Sequence, residues 1–425
     1  MKLGSIAMLA AMLAGTATAA DAPSEVYKPT AAQIALADQL RMPPQPPGRN
    51  AYPLLWSFDY DLAPGQVDAA YEADRKKAAA WASEAYATFE RTDHLPPFPH
   101  SAASMAAPFA RVTREEYAAL CGKETPSCLG HVRGHVADVR TILGKHAALL
   151  ARVRSLASYD TWWNTMPADV ALPMPRVQPA LQFWTSAAAL RVVDGDVVGG
   201  LDEACTAAGT FRRLRAHANT LVDAILAEAG ARRGMHLVVE ILAMAPAGVP
   251  VPQSCRDAVA APTLADVDTR GMAAYEHQFL NRTSERSGMG GMDYAMVGFH
   301  AALASEATQR AMLDDAVLPD AVLAKVRRDL PAMQGVESPK EIREYLVSSL
   351  NGQVDREADY LSTIRIAGLA LWLREHPSDK PLDARIAAAP AGSLAKRLTV
   401  ACEGKCIEMS ERWRPVQGKT WSVHE

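Results

Sequence analysis

Three mostly apolar helices follow one another in the middle of the chain, where residues 176–244 read RVQPALQFWTSAAALRVVDGDVVGGLDEACTAAGTFRRLRAHANTLVDAILAEAGARRGMHLVVEILAM. The turn Asp194-Gly195-Asp196 separates the first two segments, and a connection this short folds one helix back on the other. The third segment ends before Pro246, which cannot continue a helix. These helices are expected at 176–193, 198–217 and 220–244.

The central helix pair resembles the helix–turn–helix unit of tetratricopeptide-type solenoids, although no repeat of about 34 residues recurs. Ala-rich amphipathic segments continue on both sides, and long alternating strand patterns are nearly absent. The sequence therefore predicts a mostly α protein, a multi-helix array with solenoid-like helix pairs in its middle. Further helices are expected at 31–41, 66–91, 127–156, 264–285, 293–311, 319–330, 339–350 and 355–375.

The C-terminal tail has a different pattern. Short segments of alternating character at 398–400, 406–409 and 420–423 predict a small β-meander. We therefore expect four parts along the chain. They are a signal peptide at 1–20, a mobile segment with a Pro-rich linker at 21–53, an α-helical domain at 54–393 and a small β tail at 394–425.

The first twenty residues read MKLGSIAMLAAMLAGTATAA and have the pattern of a secretory signal peptide. Lys2 precedes an apolar run, and small residues precede Asp21, which suits cleavage after Ala19 or Ala20. The run is too short to cross about 30 Å of hydrocarbon. We therefore expect a periplasmic or secreted protein without a membrane span.

The charge balance argues against one class of partner. The chain has 44 Lys and Arg against 48 Asp and Glu, a formal net charge of −4. Binding to nucleic acid is driven mainly by cations that neutralise phosphates. We therefore expect no nucleic-acid partner.

Six cysteines fit an oxidising compartment, where pairing is the default. Cys402 and Cys406 flank a predicted tight turn, and Cys121 and Cys128 flank another. The two that remain would join the central helical hairpin to the loop after it. The expected disulfides are Cys121–Cys128, Cys205–Cys255 and Cys402–Cys406.

One polar stripe runs along the otherwise apolar third central helix. Arg232, His236 and Glu240 recur at intervals of four, and Arg213 and His217 lie on its expected neighbour. Polar groups on a buried helix need partners or water, so the stripe either lines a wet groove or faces solvent around an internal Arg–Glu pair. A groove of this kind favours an anionic or polar ligand.

Two sets of residues have the chemistry of metal ligands. His131 and His135 follow Cys121 and Cys128 at a spacing that superficially resembles a zinc site, but an oxidised cysteine pair offers no thiolates. The other set is a thioether and imidazole group of the kind that suits Cu(I), although methionine on a helix face is usually core filler. It comprises Met289, Met292, Met296 and His300. The sequence predicts no metal and no cofactor.

No ordered catalytic motif stands in the chain, neither Gly-x-Ser-x-Gly nor His-Glu-x-x-His nor a phosphate-binding loop. We therefore expect a binding or interaction module, whose partner is an unidentified protein or a small polar ligand. The alternative is a cell-envelope hydrolase with a site assembled from scattered His, Asp and Glu side chains.

Overall fold

The computed structural model describes residues 31–92, 94, 96–122, 127–168, 172, 174–246, 248–287, 292–329, 339–390, 397–401, 406–410, 412 and 419–422. Within them the chain is mostly helical, with one small sheet near the C-terminus, as predicted. Its helices are α1 (Ala31–Gln39), α2 (Tyr52–Trp56), α3 (Pro64–Thr92), α4 (Arg114–Ala119), α5 (Cys128–Gly134), α6 (Val136–Lys145), α7 (Ala147–Ser155), α8 (Gln178–Val193), α9 (Val197–Ala216), α10 (Leu221–Met244), α11 (Gln253–Ala258), α12 (Arg270–Ser287), α13 (Met292–Leu303), α14 (Glu306–Leu313), α15 (Asp320–Asp329), α16 (Pro339–Glu375) and α17 (Leu382–Ala388). Its strands are β1 (Leu398–Ala401), β2 (Cys406–Met409) and β3 (Lys419–Ser422).

The central stretch folds into the predicted hairpin and third helix. Gly195 has a φ of +97°, which only glycine adopts readily, and it reverses the chain between α8 and α9. The Asp196 side chain caps α9 by accepting a hydrogen bond from the Gly199 N–H at 2.9 Å. Thr220 caps α10 in the same way, with the Asp223 N–H as donor at 3.0 Å. Helix α9 packs against both neighbours and forms the centre of the core.

Small residues let α9 and α10 approach each other closely. A Cβ atom added at Gly234 would lie 2.8 Å from the Ala208 Cα, and one at Gly230 would lie 2.5 Å from the Phe211 ring. Atoms at these separations overlap, so the observed packing requires glycine at both positions. The Ala- and Gly-rich composition of this stretch therefore permits the short distance between the two helices.

The prediction of one helix over 127–156 is wrong, because the chain forms three helices there, α5 to α7. It leaves helical geometry at His135, with a φ of −134°, and at His146, with a φ of −107°. The His146 side chain is buried, with Nε2 3.2 Å from Glu116 Oε2 and the ring packed edge-on against Phe183. These long-range contacts accompany a break in the helix at His146, which the apolar periodicity of the segment does not predict.

Other helix boundaries differ in both directions. The two helices predicted at 339–350 and 355–375 are one helix, α16, which continues through Gly352. Glycine inside a helix costs about 1 kcal/mol, and the burial of Leu350 and Val354 on either side offsets that cost. The helix predicted at 293–311 is instead two helices, because Ser305 caps a new one, α14.

The C-terminal strands form the predicted meander, with β2 antiparallel to both β1 and β3. Its buried Ile407 packs on a small apolar cluster formed by α16 and α17. Arg397, just before β1, forms ion pairs with Asp359 of α16 and with Asp315. The sheet is therefore fixed to the helical body by both apolar and ionic contacts.

The region before the helical body is only partly described. The predicted signal peptide at 1–20 and residues 21–30 lie outside the described residues. The Pro-rich residues 41–46 have no regular structure. Asn50 then anchors the chain, since its side chain donates to the Trp163 carbonyl at 2.7 Å and accepts from the Trp163 N–H at 2.9 Å.

Two of the expected disulfides are present. Cys121 pairs with Cys128, and Cys205 pairs with Cys255, with Cα–Cα distances of 5.2 and 4.7 Å. Cys406 is also disulfide-bonded, but Cys402 lies outside the described residues, so the third pairing stays a prediction. In the part of the chain that the structure describes, no helix is long and apolar enough to cross a bilayer.

Candidate functional site

A groove of 360 Å³ lies between α9, α11 and the 3-10 turn at 264–267. This volume falls in the range of about 300–1,000 Å³ that is typical of small-molecule sites. The disulfide Cys205–Cys255 joins α9 to α11, so the two walls are held together covalently. The groove is lined by Ala157, Cys205, Thr206, Gly209, Thr210, Arg212, Arg213, Ser254, Asp257, Ala258 and Asp266.

Arg212 holds the wall of the groove in place. Its Nε and Nη2 donate to the Asp266 carboxylate at 2.7 and 3.0 Å, and its Nη1 donates to the carbonyls of Ala258 and Ala260. Burial acts to raise the pKa of Asp266, but the bonds from Arg212 hold it below its usual value. Because all three nitrogens have partners within the protein, Arg212 is a structural part of the groove.

Arg213 brings an ordered positive charge to the groove. Its Nε donates to the Tyr159 carbonyl at 3.0 Å and its Nη2 to the Ala157 carbonyl at 2.9 Å, which fixes the plane of the guanidinium. Thr206 and Ser254 line the same groove, and the Ser254 hydroxyl donates to Asp202 at 2.6 Å. A fixed cation beside hydroxyl groups can orient a small polar molecule.

Arg232 of the predicted stripe is used inside the protein. Its Nε lies 2.9 Å from Glu228 Oε1, and its Nη2 donates to the Arg356 carbonyl of α16 at 3.0 Å. Arg232 therefore pairs with Glu228, which lies outside the predicted stripe, and not with Glu240.

Glu240 caps a different helix. Its carboxylate accepts hydrogen bonds from the N–H groups of Cys128 and Leu129 at 3.0 and 2.9 Å and from the Ser127 hydroxyl at 3.1 Å. These donors lie at the N-terminus of α5, where a negative charge is favourable. Glu240 therefore binds α5 to α10.

His217 and His236 are both half-buried, the first immediately after α9 and the second on α10. Neither they nor Arg232 and Glu240 line the groove or the second cavity, of 180 Å³, beside His146. Of the five residues predicted to line a ligand groove, Arg213 alone lies on the groove between α9 and α11. The candidate site is therefore the part of the structure around Arg213.

A buried carboxylate that sequence reasoning missed lies at the N-terminus of α10. Asp223 is 3 % exposed and accepts a hydrogen bond from the Thr220 hydroxyl at 2.7 Å. Burial raises its pKa to about 7, opposed by the Thr220 bond and reinforced by the nearby charge of Glu276. Glu276 itself accepts from the Leu221 N–H at 3.2 Å. The only signal in the sequence is the Thr-x-x-Asp spacing of a helix cap.

A second buried network joins α9, α10 and α16. The side chains of Arg215 and Glu357 form an ion pair with no solvent exposure, and the Arg215 Nη1 donates to the Asp266 carbonyl at 2.6 Å. Burial acts to raise the pKa of Glu357, but Arg215 and Arg356 hold it below its usual value. Each charged side chain of the network has a partner of opposite charge. Because Arg215 also binds the backbone of Asp266, the network supports the wall of the groove.

The half-buried His131 stacks on the exposed His135, with ring centroids 4.5 Å apart. The Nε2 of His131 faces the Ala119 carbonyl at 2.9 Å. The cysteines before them are oxidised, as expected, so no thiolate completes a zinc site. Over the described ranges, no group of three or more His, Cys, Asp or Glu side chains is placed to hold a metal ion.

The chain matches no protein-family model, no curated protein and no solved structure.

Proposed function

We propose that this protein is exported to the periplasm or the medium and binds a small polar ligand in the groove between α9 and α11. The observation that carries the proposal is the groove itself, whose walls a disulfide joins and whose lining includes the fixed cation of Arg213. The two observed disulfides are compatible with an oxidising compartment. Arg213 favours an anionic group on the ligand and Asp257 a cationic one, so the lining suits a polar molecule that carries both.

Gly209 allows a direct test, because it lines the groove and carries no side chain. We expect Gly209→Leu to fill part of the groove and to abolish binding of any ligand that the wild type binds there. Gly144→Leu is the matched control, since a side chain at Gly144 meets nothing within 4 Å and lies outside the groove.

The measurement is thermal stabilisation of wild type by a panel of carboxylic acids, amino acids and sugar phosphates, followed by calorimetry of each positive compound. Binding to the folded state raises the melting temperature. The proposal is contradicted if no compound of the panel binds, or if Gly209→Leu and wild type bind equally.

The hydrolase alternative has one observation in its favour. A carboxyl with a pKa of about 7, as in Asp223, is suited to act as a general acid or base at neutral pH. Asp223 is almost fully buried, however, and it lines neither of the two cavities described above. Because a substrate cannot reach Asp223 from either cavity, we prefer the ligand-binding proposal to the hydrolase. Hydrolysis of chromogenic esters or glycosides by wild type but not by Asp223→Asn would favour the hydrolase instead.

A further inference from the structure

Two buried histidines face each other across the hairpin of α12 and α13. His277 is 5 % exposed and His300 is 3 % exposed, and their ring centroids lie 6.0 Å apart. The Nδ1 atom of each ring is buried and has no hydrogen-bond partner. A buried ring nitrogen without a partner is uncommon, because each one forfeits the hydrogen bond that it makes in water.

The second nitrogen of His277 is held by Asn281, one turn later on α12. The His277 Nε2 and the Asn281 Nδ2 are 3.3 Å apart, while the Asn281 Oδ1 is buried without a partner. Exchange of the amide oxygen and nitrogen lets the Nε2–H of His277 donate to the oxygen, and it leaves the amide nitrogen as the buried atom without a partner. In this arrangement the His277 Nδ1 carries a lone pair and no proton. A hydrogen bond that fixes the tautomer in this way is usual behind a metal-ligating histidine.

Burial also keeps both rings uncharged. It lowers the pKa of His277, and it lowers the pKa of His300 to about 3, with His277 as a further cause. Only a neutral imidazole has the lone pair that a metal ion needs.

A thioether lies on the same face of α13. Met296 precedes His300 by four residues, which places the two side chains as neighbours one helical turn apart. Met296 is partly buried and packs against the core. Neutral imidazole together with thioether is a soft set of ligands that suits Cu(I).

We propose that His277 and His300, with Met296 as a third ligand, form a binding site for Cu(I) between α12 and α13. The observed centroid separation of 6.0 Å is about the largest at which two imidazole nitrogens, each about 2 Å from the metal, can share one ion, so the ion would lie nearly on the line between the two rings. The site is independent of the groove at Arg213, and it departs from the sequence expectation that the protein holds no metal. The methionine set considered from the sequence lacked His277, which the tertiary structure adds.

The test is anaerobic titration of the purified protein with Cu(I), in competition with a chromophoric Cu(I) chelator. We expect wild type to withdraw a single ion per chain, and His300→Phe to lose that capacity. Met296→Leu, which conserves volume, should weaken binding by about tenfold or more, since loss even of outer-shell partners of metal ligands costs 10–100-fold. Met235→Leu is the matched control, since Met235 is buried on α10 outside the hairpin.

The stacked pair His131 and His135 is the competing copper site near the surface, and His131→Ala/His135→Ala removes it. The proposal is overturned if wild type takes up no Cu(I), if the surface variant loses the ion, or if Met296→Leu binds like Met235→Leu. Circular dichroism shows whether His300→Phe folds. Should it not fold, X-ray absorption of the wild-type complex decides, because nitrogen and sulfur ligands support the site and oxygen ligands exclude it.

Discussion

A carboxyl group such as Asp223 loses its hydration when it is enclosed in the folded protein, and this determines how it titrates. Its raised pKa means that the native state holds the proton at a pH where the unfolded chain, with an Asp pKa of roughly 3.9, has released it. The contribution of Asp223 to the free energy of unfolding is therefore most favourable below about pH 4, and it is lost as the pH rises toward 7.

We expect Asp223→Asn to remove this pH dependence, because the amide keeps the shape of the carboxyl and does not ionise. The variant should gain a few kcal/mol of unfolding free energy relative to wild type between pH 5 and pH 8. Urea unfolding of both proteins at the two pH values measures the gain. Subtracting the unfolding free energy of wild type from that of the variant at each pH cancels the contributions of all other titrating groups. A difference that stays constant with pH contradicts the raised pKa.

The Arg215–Glu357 pair illustrates the opposite case, a buried charge with a buried partner. Glu357→Gln leaves the guanidinium of Arg215 without its counter-ion, and we expect a loss of about 3–5 kcal/mol of unfolding free energy. Glu306→Gln breaks the exposed pair with Arg310 and should cost no more than about 1 kcal/mol. Chemical denaturation gives the unfolding free energy of each variant. An equal loss in Glu357→Gln and Glu306→Gln would contradict the burial of the Arg215–Glu357 pair.

Among the elements, the contact of α9 with α10 is the one that tolerates least change. Gly234→Val introduces a side chain where even a Cβ meets the Ala208 backbone, so we expect a loss of about 1–3 kcal/mol or more. Gly144→Ala, on open helix surface, should instead stabilise by roughly 0.5–1 kcal/mol. Melting temperatures of the two variants should therefore move in opposite directions, and parallel shifts would contradict the close packing.

At the scale of the whole molecule, the disulfides differ in how much chain they constrain. Cys205–Cys255 spans a sequence separation of 50 and Cys121–Cys128 a separation of 7. A disulfide that closes a longer loop removes more entropy from the unfolded chain, so Cys205–Cys255 should stabilise the protein by about 2 kcal/mol more than Cys121–Cys128. We expect Cys205→Ala/Cys255→Ala to be the more destabilised double variant, and unfolding curves that place Cys121→Ala/Cys128→Ala lower would contradict this.

Export is a further property of the whole molecule. Mass spectrometry of protein recovered from outside the cytoplasm should show a chain that begins at Ala20 or Asp21 with all six cysteines oxidised. An intact N-terminal Met1 with free thiols would contradict both the export and the third disulfide, Cys402–Cys406.

The site was less predictable than the fold. Arg213 was predicted as a groove residue because its helix neighbours the polar stripe, and it lines the groove proposed here. Asp223 and His277 were not found, since their significance comes from burial by distant segments. Arg232 and Glu240 shared a helix face in the sequence but bind different partners, which helical periodicity does not specify.

The sequence by itself determined the helical class, the central hairpin at Gly195 and the disulfide Cys121–Cys128, because periodicity, turn residues and cysteine proximity are local properties. Cys205–Cys255 was predicted only as the pair that remained. Only the tertiary structure decided where helices break, as at His146, and which polar groups meet, as at His277 and His300. These outcomes depend on desolvation and on partners far away in the chain, and no short stretch of sequence contains that information.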